Sequence, residues 1–134
     1  MIELIWSQNK KCYLPVLLED KERELGFVRY EKNDELSRNR YSILEPKNMT
    51  ELWQPEKLDI VLAPLIAFDK RGHRLGTGGG YYDHTFAFLK AQYHKHPHML
   101  GLAYAAQEVD LLVHDPWDVS MQGIVTELGY VECR

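Results

Sequence analysis

A glycine-rich run behind an arginine is the part of the sequence best suited to chemistry. Four of the five residues from Gly76 to Gly80 are glycine, and Arg74 precedes them. A backbone without Cβ atoms turns tightly and approaches a ligand closely, and its successive N–H groups attract an anion at the start of a helix. The arginine adds a planar cation for a phosphate oxygen. These residues predict a phosphate-binding loop, the alternative being a tight loop without a ligand. Neither a Walker loop nor the plain dinucleotide spacing is present.

Two aspartates are candidates for the surroundings of such a phosphate. Asp83 falls in the first turn of the helix predicted after the glycines, where it either interacts with the helix dipole or binds Mg²⁺ beside the phosphates. The residues alone leave these two interpretations open. Asp118 lies in a loop with Pro116, and its residue type favours stabilisation of a turn.

Two pairs of aromatic residues have other expected roles. Tyr82 begins the apolar face of the predicted helix and is expected in the core, whereas Tyr81 points elsewhere and is the better ligand candidate. We expect Trp53 and Trp117 to pack as loop anchors, with base stacking as the alternative.

The histidines at positions 94, 96 and 98 invite a metal interpretation. They follow the predicted helix next to a proline, without an evident fixed geometry. We therefore interpret them as part of a solvated connector.

The elements that must position these residues are mostly strands. A helix tail precedes position 11, residues 31–57 form a polar surface segment, and the predicted helix carries an apolar face at Tyr82, Phe86, Leu89 and Tyr93. The expected strands cover residues 11–18 (ending near Pro15), 25–30, 59–64, 65–69, 99–105 and 123–127. The pattern predicts an α/β fold, an open and mostly parallel Rossmann-like sheet in three layers, with too few helices to cover both faces.

Composition limits the class of protein. The chain has 134 residues and a net charge of −4, which predicts a single domain over residues 1–134 and argues against nucleic-acid binding. No apolar run approaches the ~20 residues that span a bilayer, and the first residues do not resemble a signal peptide. The two cysteines, Cys12 in a strand and Cys133 near the end, indicate a reducing compartment, and we expect the cytoplasm.

Longer motifs resemble a known family. The run from Asp59 to Asp69, then Gly72 and the stretch from Arg74 to Asp83, resembles the signature of the 5-formyltetrahydrofolate cyclo-ligase family. Further segments fit in the same order, at Tyr13–Val16, Ile43–Pro46, Gly101–Tyr104, Trp117–Val119 and Val125–Glu127. The resemblance covers nearly all of the chain from about Leu4 onward.

The resemblance implies an ATP- and Mg²⁺-dependent enzyme that converts 5-formyltetrahydrofolate to 5,10-methenyltetrahydrofolate with release of ADP and phosphate. It implies that Asp83 and Asp118 hold Mg²⁺, that the stretch from Thr77 to Tyr81 borders the folate, and that Arg74 and Tyr81 are the candidate catalytic residues. The residues implied to cradle ATP are Arg74, Leu75, Gly76, Thr77, Gly78, Gly79, Gly80, Tyr81 and Tyr82.

The chain departs from the family pattern at its front. Members of the family carry a further N-terminal segment, with a basic helix for ATP and residues for the folate, so we expect an N-terminally truncated fold. A missing strand would leave an unpaired sheet edge, which predicts self-association. Without part of the residues for ATP and folate, we also expect weak nucleotide binding and slow or no turnover. The alternative is a non-catalytic nucleotide-binding or interaction module. A small kinase-like transferase is a weaker alternative, because no residue presents itself as a catalytic base.

Overall fold

The computed structural model describes residues 1–49, 51–76, 78–91 and 94–134. The chain divides into two compact units, Met1–Pro55 and Glu56–Arg134. The prediction of a single domain stays a prediction. The helices are α1 (Ile2–Ser7) and α2 (Tyr81–Thr85), and short 3₁₀ turns cover Pro55–Lys57, Ala87–Lys90 and Ala105–Gln107. The strands are β1 (Cys12–Leu17), β2 (Leu25–Tyr30), β3 (Leu36–Arg38), β4 (Leu44–Pro46), β5 (Ile60–Pro64), β6 (Ala67–Phe68), β7 (Arg74–Leu75), β8 (His98–Leu102), β9 (Gly123–Thr126) and β10 (Gly129–Glu132).

The first unit is built from two antiparallel hairpins. Strand β1 pairs with β2, and β3 pairs with β4. The buried carboxylate of Glu45 accepts the backbone N–H of Leu17 at 2.7 Å and the side-chain amide of Asn39 at 3.0 Å. Because an unpaired buried carboxylate is costly, these bonds tie β4 to β1.

The second unit contains a mixed four-stranded sheet in the order β10-β9-β8-β5. Strand β8 runs parallel to both β5 and β9, while β10 is antiparallel to β9. Val61, Met99 and Ile124 are at most 5% exposed and form the core with Phe86 and Ala63, both fully buried. The prediction of an α/β fold with few helices and a mostly parallel sheet is confirmed, because these apolar runs form buried parallel strands.

The helix predicted after the glycines is much shorter than expected. The apolar face is interrupted, since α2 ends at Thr85 and a 3₁₀ turn follows from Ala87. His84, Thr85 and Phe86 are all weak helix formers, which explains the early end. Tyr93, the last residue of the predicted face, lies outside the described residues.

Several smaller predictions are corrected. Strand β1 continues past Pro15 to Leu17, which is tolerated because β1 pairs with β2 alone among the strands that the structure describes. The polar segment 31–57 contains the β3–β4 hairpin, which has no apolar alternation to reveal it. Trp117 is 65% exposed and is not an anchor, whereas Trp53 stacks on Tyr13 at 5.4 Å.

Both cysteines are free thiols, one buried in β1 and one half-buried. Burial raises the pKa of each thiol, and the charge of Asp69 raises that of Cys133 further. Within the described ranges, no helix is long and apolar enough to cross a membrane.

Candidate phosphate-binding site

The β6–β7 hairpin directly precedes the glycine loop, which we define as residues 76–80. Ala67 pairs with Leu75 and Phe68 with Arg74, and the N–H of Ile66 donates to the Leu75 carbonyl at 2.7 Å. The loop therefore begins from a fixed backbone, one residue after the hairpin ends.

Arg74 is held under this loop by contacts on several sides. Its side chain is 7% exposed, with Nη1 3.5 Å from the Pro64 carbonyl oxygen and Nη2 3.6 Å from Oδ1 of Asp83. The guanidinium carbon lies 5.5 Å from the centroid of the Tyr82 ring. The buried Nε has no hydrogen-bond partner among the described residues. A buried unsatisfied donor is costly, so an acceptor at this point would be strongly favoured.

The backbone of the glycine loop is open where it is described. The N–H groups of Gly76, Gly78, Gly79 and Gly80 donate to none of the described residues. Gly78 and Gly80 have φ angles of 101° and 70°, and a Cβ at either position would meet nothing within 4 Å. Such backbone conformations favour glycine, and the open space in front of them can admit a ligand. Thr77 lies outside the described residues.

The loop also packs closely against two side chains. A Cβ at Gly76 would approach Nη1 of Arg74 to 2.8 Å, and one at Gly79 would approach the ring of Tyr81 to 2.7 Å. These glycines therefore allow close approach of the guanidinium and of the tyrosine ring.

The ring of Tyr82 packs against the guanidinium of Arg74. Tyr82 is half-buried and its ring stacks on that of Phe86, with centroids 6.3 Å apart. Burial raises the pKa of the Tyr82 phenol and the Arg74 charge opposes that rise, so the phenol stays neutral at ordinary pH. Its partly buried position agrees with the expectation that Tyr82 belongs to the core.

The structure brings Asp83 and the Asp118 loop together. Oδ1 of Asp83 accepts the N–H of Val119 at 2.9 Å, and Oδ2 of Asp118 accepts the N–H of Asp115 at 2.9 Å. Asp118 therefore stabilises its turn, as its residue type predicts. The two carboxylates could join phosphate oxygens around Mg²⁺, which prefers one or two carboxylates in such sites.

The His, Cys, Asp and Glu side chains that the structure describes form no metal site by themselves. The structure shows no group of three or more His, Cys, Asp or Glu side chains placed to hold a metal within the residues that it describes. His96 and His98, whose ring centroids are 5.8 Å apart, belong to no such group. A divalent ion at Asp83 and Asp118 would therefore require ligands from a bound molecule, which fits a phosphate-bearing one.

A buried aspartate that the sequence analysis did not single out fixes the turn before Arg74. Asp69 is fully buried and accepts the N–H groups of Arg71, His73 and Leu112 and the Nδ1 of His73, at 2.9 to 3.1 Å. Burial alone would raise the pKa of Asp69, but the hydrogen bonds from Leu112, His73 and Arg71 hold it below its ordinary value. The one signal in the sequence for this hydrogen-bonded turn was the spacing of four residues between Asp69 and His73.

The short α2 changes one part of the phosphate argument. A five-residue helix has little dipole to offer an anion. The attraction for an anion rests on the loop N–H groups and Arg74 instead.

Comparisons with known proteins define the class of this α/β chain. The family model described as the 5-formyltetrahydrofolate cyclo-ligase family matches residues 1–127, so the chain belongs to this family. It is 41% identical over 126 residues to the 5-formyltetrahydrofolate cyclo-ligase of Haemophilus influenzae, covering 93% of this chain and 66% of the relative. The enzyme of the same name from Escherichia coli is 38% identical over 127 residues, covering 94% and 68%.

Solved structures agree with this family. The 5,10-methenyltetrahydrofolate synthetase of Aquifex aeolicus superposes with a TM-score of 0.77 at 30% identity, covering 99% of this chain and 63% of that one. The synthetase of the same name from Mycoplasma pneumoniae gives a TM-score of 0.61 at 28% identity, covering 92% and 60%. The chain spans about two thirds of the length of the relatives that it matches.

Proposed function

We propose that this chain carries out the ATP- and Mg²⁺-dependent conversion of 5-formyltetrahydrofolate to 5,10-methenyltetrahydrofolate. The observation that carries this proposal is the glycine loop, whose described N–H groups lack partners above an almost fully buried Arg74 with an unpaired Nε. Membership of the cyclo-ligase family supplies the substrate class.

The proposed reaction needs a phosphate site more than a nucleophilic side chain. The formyl oxygen attacks the γ-phosphorus of ATP, the bond to the bridging oxygen breaks, and ADP leaves. The N10 amine then attacks the activated formyl carbon and releases its proton to solvent. Phosphate departs with the former formyl oxygen and its bonding electron pair, which leaves the closed methenyl ring. Phosphoryl transfer depends on positioning and on neutralising charge, which backbone N–H groups and a guanidinium provide.

Arg74 and Tyr81 are proposed as the residues nearest to this chemistry. Arg74 would donate to a phosphate oxygen from beneath the loop, since its Nε has no partner among the described side chains and backbone groups. The ring of Tyr81 lies close to Gly79. Tyr81 is proposed to border the folate, as is Thr77, which is outside the described residues. The remaining ATP-binding residues proposed are Leu75, Gly76, Gly78, Gly79, Gly80 and Tyr82.

Asp83 and Asp118 are proposed to hold Mg²⁺. When bound, the ion would neutralise charge on the phosphate oxygens. Oδ1 of Asp83 already forms an ion pair with Arg74 and accepts the N–H of Val119, so Asp83 fixes the arginine and the Asp118 loop relative to each other.

A second candidate function is a non-catalytic module that binds nucleotide but does not turn over folate. The observation in its favour is that the loop N–H groups and Arg74 suit an anion, whereas no contact among the described residues defines a folate site. Calorimetry separates the two functions. The enzyme is expected to bind both MgATP and 5-formyltetrahydrofolate and to form the methenyl product, which is followed by its absorbance. The module is expected to bind MgATP only. A chain that binds neither ligand would contradict both.

Self-association through a sheet edge is part of the proposal. Strand β5 lies at one edge of its sheet, pairing only with β8 among the described strands, and Ile60 on it is 58% exposed. Such an edge can pair with a second copy. Light scattering is expected to show a dimer, and a monomer at all concentrations would contradict this part. We further propose a cytoplasmic location and no nucleic-acid partner, in keeping with the net charge of −4.

A further inference from the structure

Gln107 uses both ends of its side-chain amide at the carboxyl ends of the parallel strands. Its Oε1 accepts the N–H of Tyr104 at 2.7 Å, in the turn that follows β8. Its Nε2 donates to the carbonyl oxygens of Leu65 at 3.2 Å and Ile66 at 3.0 Å, in the segment that follows β5. One side chain therefore joins the carboxyl ends of two neighbouring strands. In open parallel sheets, ligands bind at this end of the strands.

The segment that Gln107 holds is also the segment that holds Arg74. The carbonyl oxygen of Pro64 faces Nη1 of Arg74, and the N–H of Ile66 donates to the carbonyl oxygen of Leu75. Pro64, the last residue of β5, and Ile66 are thus tied to β7, while Leu65 and Ile66 are tied to Gln107. A displacement of this segment would displace the guanidinium beneath the glycine loop.

Glu127 provides a comparable bond on the opposite side of the same turn. Its Oε1 accepts the N–H of Ala105 at 2.6 Å, which ties the turn to the end of β9 rather than to β5. This hydrogen bond does not involve residues 64–66, so Glu127 offers a matched control for Gln107.

We propose that Gln107 is the positioning residue that fixes residues 64–66 and, through them, the guanidinium of Arg74. The amide is required because one end must accept a backbone N–H while the other donates to two carbonyl oxygens. A carboxylate at this position would place an oxygen against the oxygens of Leu65 and Ile66 and break the contact. The consequence for nucleotide binding rests on the proposed function, but the structural role does not.

The first test compares Gln107→Glu with Glu127→Gln by amide hydrogen exchange. We expect exchange of the Ile66 N–H to become about fivefold faster in Gln107→Glu, since the loss of a hydrogen bond worth ~1 kcal/mol loosens its segment. Glu127→Gln keeps an accepting oxygen and is expected to leave this rate unchanged. Gln107→Met, which removes the donor without adding charge, is the second variant should Gln107→Glu fail to fold.

The second test measures MgATP affinity by calorimetry. Gln107→Glu or Gln107→Met is expected to raise Kd about tenfold, but to add nothing in an Arg74→Ala background, because the two residues act through one contact. Equal Ile66 exchange in wild type and both Gln107 variants would overturn the positioning role, as would additive effects with Arg74→Ala. A wild type that binds no MgATP contradicts the proposed function, and the exchange rates then decide the role of Gln107.

Discussion

The two loops that flank β7 differ in whether their backbone N–H groups are hydrogen-bonded. In the turn before β7, buried Asp69 accepts the N–H groups of Arg71 and His73 and also that of Leu112. In the glycine loop after β7, none of the four described glycine N–H groups donates to a described residue. Only Arg74 and Leu75 separate the two.

This difference assigns different roles to the two loops. Saturated hydrogen bonding around a buried carboxylate stabilises the fold, since each lost partner leaves a buried polar group unsatisfied. Donors left open above a buried guanidinium contribute little to stability, but they are already placed for an anion. Substitutions before β7 should therefore change stability, and those after it should change binding.

The largest expected effect is on the turn before β7. Asp69→Asn keeps the shape but sets an amide NH₂ against donors from Leu112 or His73, so we expect a loss of about 3 kcal/mol in the free energy of unfolding. Denaturant titration measures this loss, with Asp110→Asn at an exposed position as the control. A loss below about 1 kcal/mol would show that the turn does not depend on Asp69.

Arg74→Ala should change binding more than the turn residues do. We expect MgATP affinity to fall roughly 30-fold, or ~2 kcal/mol, because a charge-assisted donor is removed. Arg74→Lys should recover part of the affinity, since a lysine keeps the charge but not the planar fork. The exposed Arg71→Ala is the control, and an equal loss there would point to net charge instead of a specific contact.

A glycine substitution separates strain from binding. Gly78→Ala and Gly129→Ala both place a Cβ at positive φ, 101° and 121°, with nothing within 4 Å. We expect each to lose about 1 kcal/mol of stability from backbone strain. Only Gly78→Ala should weaken MgATP binding, by roughly fivefold, because its Cβ enters the space before the loop. Equal affinity in both variants would remove Gly78 from the site.

The Asp69 carboxylate also predicts a pH dependence of stability. Because hydrogen bonds hold the pKa of Asp69 below its ordinary value, its contribution to stability is present above about pH 4 and disappears as the pH falls through the lowered pKa. Unfolding of wild type and Asp69→Asn should therefore converge in acid. A stability difference that stays constant down to pH 2 would contradict this assignment.

The sequence predicted the parallel strands well. Ile60–Pro64 and Gly123–Thr126 are apolar runs whose burial follows from residue type, and both were expected. The β3–β4 hairpin and β10 escaped prediction, since exposed strands such as Gly129–Glu132 have no apolar alternation. The prediction of a long helix after the loop was wrong. It relied on the apolar periodicity that begins at Tyr82 and gave too little weight to the weak helix propensity of the residues that follow.

The site was only partly predictable. The glycines, Arg74 and Asp83 stand close together in the sequence, so their motif was visible. The contacts of Gln107 with Leu65 and Ile66 join positions about forty apart in sequence, and no local pattern contains them. Asp69 belonged to the motif, but its burial depends on Leu112, far along the chain.

Amide chemical shifts during a titration with MgATP test the contrast between the two loops most directly. We predict large shifts at Gly76, Gly78, Gly79 and Gly80 and at the Arg74 Nε–H, whose donors have no described partner. The N–H groups bonded to Asp69 should move little. Unchanged glycine signals at saturating nucleotide, or equal shifts in the Asp69 turn, would contradict a phosphate site at the glycine loop.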